Sequence, residues 1–257
     1  MNGITSILRD DGVAVVTIDR PDVRNALDWD AWQALGDAFV DLDRDEVRAV
    51  VLTGGNEWFS AGGDVKTMGV VGERVTGTGA RVRLAQRVVR GIVGCRAPVI
   101  ASVEGFALGA AWGLVLACDL VFASRTTFFA APFVQRALVA DAGLGWSLPR
   151  QLGQQRAARL LLLGEQLTAE EAHALGLVTH LTDSAQSLSE SLKIAGQLAA
   201  GPTDSLALTK ALFHRGSYLS LDDYLDEEHL ACALNGYGRD ALEGRAAFLE
   251  KRAPRFI

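Results

Sequence analysis

Two short turns rich in glycine and alanine are the stretches of this chain best suited to chemistry. They are Phe59-Ser60-Ala61-Gly62-Gly63-Asp64 and Gly105-Phe106-Ala107-Leu108-Gly109-Ala110-Ala111. An apolar, β-like run precedes each one, at residues 50–53 and 99–103, and each opens into a helix-like stretch. Small residues at a strand-to-helix junction leave backbone N–H groups uncovered, so two such turns can aim two donors at one point. That arrangement fits an oxyanion hole, which holds a carbonyl oxygen, such as that of a thioester, as it gains negative charge.

The elements that must hold these turns follow from the hydrophobic pattern. Val13, Val15, Thr17 and Asp19 face one way and Ala14, Val16 and Ile18 the other, which predicts a strand that Pro21 ends. Asp28 is placed as the N-cap of a helix running to about Asp41, with Trp32, Leu35, Phe39 and Leu42 at helical spacing. Residues 47–53 read as the next strand. Residues 69–80, with their repeated Gly and Thr, read as a mobile loop, and residues 81–93 as an amphipathic helix through Val82, Ala85, Val89 and Ile92. Pro98 opens another strand, and residues 108–121 read as a buried helix passing into a strand over 120–123. This alternation argues for an α/β core with parallel pairing over residues 1–183. From 184 to 257 the pattern changes to helices, about 184–200, 203–215, 220–234 and 238–252, punctuated by Gly201-Pro202 and Gly216.

Composition narrows the function. A net charge of −6 and a pI near 5.3 argue against a nucleic-acid binder, which would carry a basic stripe. Cys95, Cys118 and Cys232 have no metal-like spacing and sit in apolar surroundings, so buried, reduced thiols in a cytoplasmic protein are expected. No signal peptide and no membrane span are read. Phosphate-loop, dinucleotide-fold, zinc-protease and nucleophile-elbow motifs are all missing. Ser60 and Ser102 flank the turns, but no His or Asp is placed by sequence to activate either. His173, His180, His214 and His229 all fall in the last third and read as surface or structural.

Further segments carry a resemblance. They are Asp19-Arg20-Pro21 with Asn25-Ala26-Leu27, Phe59 to Asp64, Pro98-Val99-Ile100-Ala101, Ala107-Leu108-Gly109-Ala110, Ala117-Cys118-Asp119, Leu163-Gly164-Glu165, and Ala169-Glu170-Glu171-Ala172 with Gly176-Leu177-Val178. In this order and at these spacings the chain resembles the crotonase (enoyl-CoA hydratase/isomerase) superfamily from end to end. The resemblance implies a spiral of ββα turns, with a C-terminal helical region (184–257) that packs homotrimers or hexamers. It also implies an acyl-CoA thioester as ligand, with no cofactor beyond its CoA moiety. The thioester oxygen would be held by the N–H groups of Ala61 and Ala110. The CoA end would lie near Arg24, Ala26, Asp64, Val65, Lys66 and Leu108. Asp64 also suits the N-cap of a short helix at 65–68.

Departures from the family pattern decide the expected chemistry. Hydratases of the family carry two glutamates where this chain has Gly113 and Phe133. Losing a general acid–base group costs about 10²–10⁴-fold in rate. A substitute is Asp141, in the segment Val139-Ala140-Asp141-Ala142-Gly143-Leu144, which looks like the phenylacetate-pathway ring-epoxide/oxepin isomerase branch. In that branch an aspartate here moves protons, which implies double-bond isomerisation. A hydratase on an unusual enoyl-CoA, a catalytically silent acyl-CoA binder and a hydrolytic aryl-CoA dehalogenase are the other readings. Asp141 also suits a helix N-cap ahead of residues 144–152. Its apolar neighbours predict desolvation and a raised pKa. Trp112, Gly113, Phe133 and Trp146 are the expected acyl pocket, with core packing the favoured reading for the two tryptophans.

Overall fold

A computed structural model describes residues 3–67 and 75–256, of which 75–78 are described by their backbone alone. The chain opens with a hairpin, β1 (Ile4–Leu8) and β2 (Val13–Ile18), followed by α1 (Trp29–Asp41) and β3 (Ala49–Thr53). Next come α2 (Val75–Gly94), β4 (Val99–Val103), β5 (Phe106–Leu108), α3 (Ala110–Ala117), β6 (Leu120–Ser124) and β7 (Phe128–Ala130). The pair α4 (Leu144–Leu152) and α5 (Gln154–Leu163) leads to β8 (Gln166–Thr168), α6 (Ala169–Ala174) and β9 (His180–Thr182). Four helices close the chain: α7 (Ser187–Ala199), α8 (Thr203–Gly216), α9 (Leu221–Gly236) and α10 (Arg239–Glu250).

The strands divide between two sheets. One runs β1-β2-β3-β4-β6-β9, antiparallel at β1–β2 and parallel throughout the rest. The other runs β5-β7-β8. Successive pairs β4/β5 and β6/β7 each put one strand in either sheet, so the chain advances as a crotonase spiral of ββα turns. Every residue of β3 and β4 is buried, because helices cover both faces of the large sheet. Val50 and Leu52 join Trp32, Phe39, Val88 and Trp112 in the main core. Val51, Ile100 and Phe122 face the other way and pack against Ala195 and Ala199 of α7.

The last helices are tied to the core by a buried charge cluster. Lys210 Nζ lies 2.7 Å from Asp119 Oδ2 and donates to the carbonyls of Ile92 and Ala97, while His214 Nε2 lies 3.0 Å from Asp119 Oδ1. The far face of this tail stays apolar and open, with Leu230, Leu234 and Phe248 largely exposed.

Several sequence expectations need correction. Residues 75–80, expected as loop, form the first turns of α2, continuous with the amphipathic helix expected at 81–93, so the Gly/Thr run is carried as an extension of a helix already nucleated; residues 69–74 lie outside the described residues. The short helix expected at 65–68 is a 3-10 turn, Val65–Thr67, with Met68 outside the described residues. Cys95 and Cys118 are buried, but Cys232 is exposed on α9. Burial pushes the Cys95 and Cys118 thiols up, away from thiolate character.

Candidate active site

The first glycine-rich turn is stitched to the segment that follows β2. Arg24 and Asn25 both take left-handed backbone, φ 54° and 56°, and swing Ala26 and Leu27 against residues 62–64. The Asn25 side chain is buried. Its Oδ1 accepts from the Arg20 N–H at 2.7 Å and its Nδ2 donates to the carbonyl of Gly54 at 2.8 Å. Ser60 Oγ donates to the Asn25 carbonyl at 2.6 Å and accepts from the Gly62 N–H at 3.0 Å. Ser60 is therefore a turn-former. Ser102 is buried and bonds Ser187 Oγ at 3.1 Å, so neither serine has the free hydroxyl of a nucleophile.

The second turn is laid along the first. The Ser60 N–H donates to the Phe106 carbonyl at 3.2 Å and the Leu108 N–H to the Ser60 carbonyl at 3.0 Å. Gly62, at φ 87°, lies so close that a Cβ there would stand 2.4 Å from Leu108 O and 3.4 Å from Ala110 N. Gly109 takes φ 55°, ψ −129°, a conformation open only to glycine, and so releases Ala110 to begin α3 with helical backbone.

Hydrogen-bond accounting identifies the free donors and corrects one expectation. The Ala61 N–H is consumed by the Arg24 carbonyl at 3.0 Å, so Ala61 has no donor to offer a ligand. The Gly62 N–H is held by Ser60 Oγ, and the Asp64 N–H by the Leu27 carbonyl at 2.9 Å. In the first turn this leaves the Gly63 N–H without an acceptor among the described residues. In the second, the N–H of Ala110, first residue of α3, is likewise free. Sequence alone did not single out Gly63, because every residue of the turn offers an N–H and only the folded bonding pattern shows which is spare.

Both donors line a cleft of about 610 Å³. Ala61, Ala110 and Asp141 line it, as do Arg24, Ala26, Asp64, Val65, Lys66 and Leu108. Phe133 lines it too and packs over Gly109. Asp64 Oδ1 accepts from the Lys66 N–H at 2.9 Å and braces the 3-10 turn.

Three residues expected in the acyl pocket are not brought there. Trp112 is buried in the core and stacks on Phe129, ring centroids 5.8 Å apart. Gly113 faces Ala142, whose carbonyl oxygen would lie 2.3 Å from a Cβ at 113. Trp146 is exposed beneath the Arg150 guanidinium, 4.3 Å from its ring centroid, and lines a separate cavity of about 950 Å³ with Asp119 and His214.

Asp141 is not a side-chain cap. α4 is entered through Gly143 with no side-chain cap bond, and it is the Asp141 carbonyl that accepts from the Leu144 N–H at 3.1 Å. Its Oδ1 is buried with no hydrogen-bond partner among the described residues. Burial pushes this carboxyl above the usual range, while the nearby Arg81 guanidinium pulls it partly back. Arg81, on α2, also lines the cleft, and its Nη1 is buried and unpartnered as well. Sequence reasoning passed over Arg81. The available signal was a charged residue beside Val82 and Ala85 at the edge of an apolar helix face.

Comparison with known proteins agrees with this architecture. A family model described as Enoyl-CoA hydratase/isomerase matches residues 9–257. The 1,2-epoxyphenylacetyl-CoA isomerase of Escherichia coli K12 is 34% identical, covering 95% of this chain and 95% of that protein. A crotonyl-CoA hydratase of Syntrophomonas wolfei is 33% identical over 97% of this chain and 96% of its own length. The crystal structure of an enoyl-CoA hydratase from Polaromonas sp. JS666 superposes with a TM-score of 0.93 at 34% identity, covering 99% of both chains.

Proposed function

The chain belongs to the enoyl-CoA hydratase/isomerase (crotonase) family, and on that premise we propose that it moves a double bond along an unsaturated acyl-CoA, with Asp141 carrying the proton. The thioester oxygen would sit between the N–H groups of Gly63 and Ala110, each supplying about 3–4 kcal/mol as negative charge develops. The Asp141 carboxylate takes a proton from the α carbon of a 3-enoyl thioester. The electron pair delocalises onto the carbonyl oxygen as a dienolate. The protonated carboxyl exchanges with solvent and then delivers a proton to the γ carbon, leaving the 2-enoyl product, and the reverse path is equivalent. One carboxylate serves both steps, and no cofactor beyond the CoA moiety enters. Arg24, Ala26, Asp64, Val65, Lys66 and Leu108 would hold the CoA end, and Phe133 would line the acyl end.

The observation that carries this reading is that an unpartnered, desolvated carboxylate shares one cleft with two spare backbone donors. Incubation with enoyl-CoAs in D₂O, read by mass spectrometry, tests it. Deuterium should enter the acyl chain with the wild type and not with Asp141→Ala. Near-wild-type turnover by the variant would overturn the assignment.

A second reading, hydration of an enoyl-CoA with Asp141 handling the water, draws support from the relative named crotonyl-CoA hydratase. Hydration of crotonyl-CoA at above about 10 s⁻¹ would favour it. For the assembly, residues 184–257 are proposed as the oligomerisation region of a homotrimer or hexamer, because Leu230 and Leu234 lie open on α9. Sedimentation should show that assembly, and Leu230→Glu/Leu234→Glu should dissolve it.

A further inference from the structure

The isomerisation scheme gives Asp141 a task and leaves Arg81 without one. A guanidinium is charged at every accessible pH and carries five donors in a rigid fork. Burying one of those donors without an acceptor is costly, so such groups are held for something that arrives. Arg81 Nη1 is in that position: it is buried, it lacks any hydrogen-bond partner among the described residues, and it belongs to a residue lining the cleft. No described carboxylate lies within 4 Å to pair with it. The charges that act on it are Asp141 first and Asp64 second.

Two features narrow what it awaits. Arg24, Lys66 and Arg136 line the same cleft and are there to meet the anionic end of the ligand. The charges acting on Arg81 are both carboxylates, so its own charge is already opposed and it is left for a neutral acceptor.

We propose that Arg81 is a specificity-determining residue that donates a hydrogen bond to a neutral oxygen on the acyl chain (carbonyl, hydroxyl, ether or epoxide), so that the cleft prefers an oxygenated acyl-CoA to its hydrocarbon counterpart. The inference rests on the acyl group occupying this cleft, and it is independent of the proton chemistry at Asp141.

Titration calorimetry with saturated, unreactive thioesters tests it. Hexanoyl-CoA is compared with analogues carrying a keto or ether oxygen at each chain position from C3 to C5, and with the carboxylate-ended adipyl-CoA. With the wild type, at least one neutral-oxygen analogue should bind roughly 10-fold or more tighter than hexanoyl-CoA. Arg81→Met should erase that preference while holding hexanoyl-CoA as well as before, and Arg81→Lys should restore part of it. Equal wild-type binding at every oxygen position would overturn the proposal. So would a preference that survives Arg81→Met, or a uniform loss of all thioesters in that variant. Tightest binding of adipyl-CoA would overturn the neutral-oxygen assignment. Should oxygen preference depend on Arg81 while D₂O exchange fails, the isomerase reading falls and this one stands.

Discussion

A Cβ on Gly113 would stand 2.3 Å from the carbonyl oxygen of Ala142, so α3 and the Asp141 segment meet backbone to backbone. A side chain at 113 would need the space that Ala142 fills, and Ala142 is the neighbour of Asp141, which lines the cleft. Gly113→Ala should push that segment outward. Overpacking of this kind costs about 1–3 kcal/mol. A lowered Tm together with reduced D₂O exchange is expected, and Gly113→Glu should give no gain in crotonyl-CoA hydration.

Asp141→Asn separates stability from activity. The folded carboxyl is held above its ordinary value, chiefly by desolvation. Relative to the unfolded chain it therefore favours folding only while protonated; that benefit is full below the ordinary carboxylate pKa and is lost as pH rises through the folded one. Above the folded pKa the ionised, buried group is a burden. Asp141→Asn should unfold at a higher temperature than wild type at neutral pH, with the gap closing toward pH 3–4. Exchange should drop by about 10²–10⁴-fold, and the wild-type rate should fall as acid protonates the base. Thermal melts and exchange rates across pH read both effects.

Gly62 controls the distance between the two turns. At φ 87°, and with Leu108 O 2.4 Å from a would-be Cβ, alanine is excluded on two counts. Gly62→Ala should lower kcat by about 10²–10³, the scale of one lost oxyanion donor. A main-chain ester at residue 63, which deletes that N–H alone, should match it with little change in melting temperature. The same ester at residue 61 should instead destabilise the fold, because it breaks the bond to the Arg24 carbonyl.

Lys210 and Asp119 are only 5% and 9% exposed, and neither touches the cleft. Lys210→Met removes the cation beside Asp119 Oδ2, leaving the buried carboxylate only His214 and the Val99 N–H, and should cost about 3–5 kcal/mol in urea unfolding. Asp119→Asn/Lys210→Met should recover part of that loss, and the properly folded fraction should keep its exchange activity.

How much of this was legible in the chain differs by element. Asp28 caps α1 as expected, with Oδ1 accepting from the Ala31 N–H at 2.9 Å, because capping is local and carried by residue type. β2 keeps the expected alternation from Val13 to Ile18 and stops one residue short of Asp19, and the four closing helices lie close to their expected bounds. The three-residue strands β5, β7 and β8 left no periodic signal, since they exist only through pairing with one another. In the cleft, Asp141 was legible through the resemblance of its segment to a family branch, and its apolar neighbours foretold its burial. Gly63 was hidden by bonding among main-chain groups and Arg81 by its ordinary place on an amphipathic helix, while the favoured reading of Trp112 as core is what the structure shows.

The irregular backbone at Gly109 has a consequence for inheritance. Because the torsional burden falls on that residue, codon 110 is free to encode a methyl group without disturbing the amide beside it. An amide hydrogen survives any missense change except one to proline. The polarising device thus rests on main-chain geometry and is indifferent to which acids stand around it.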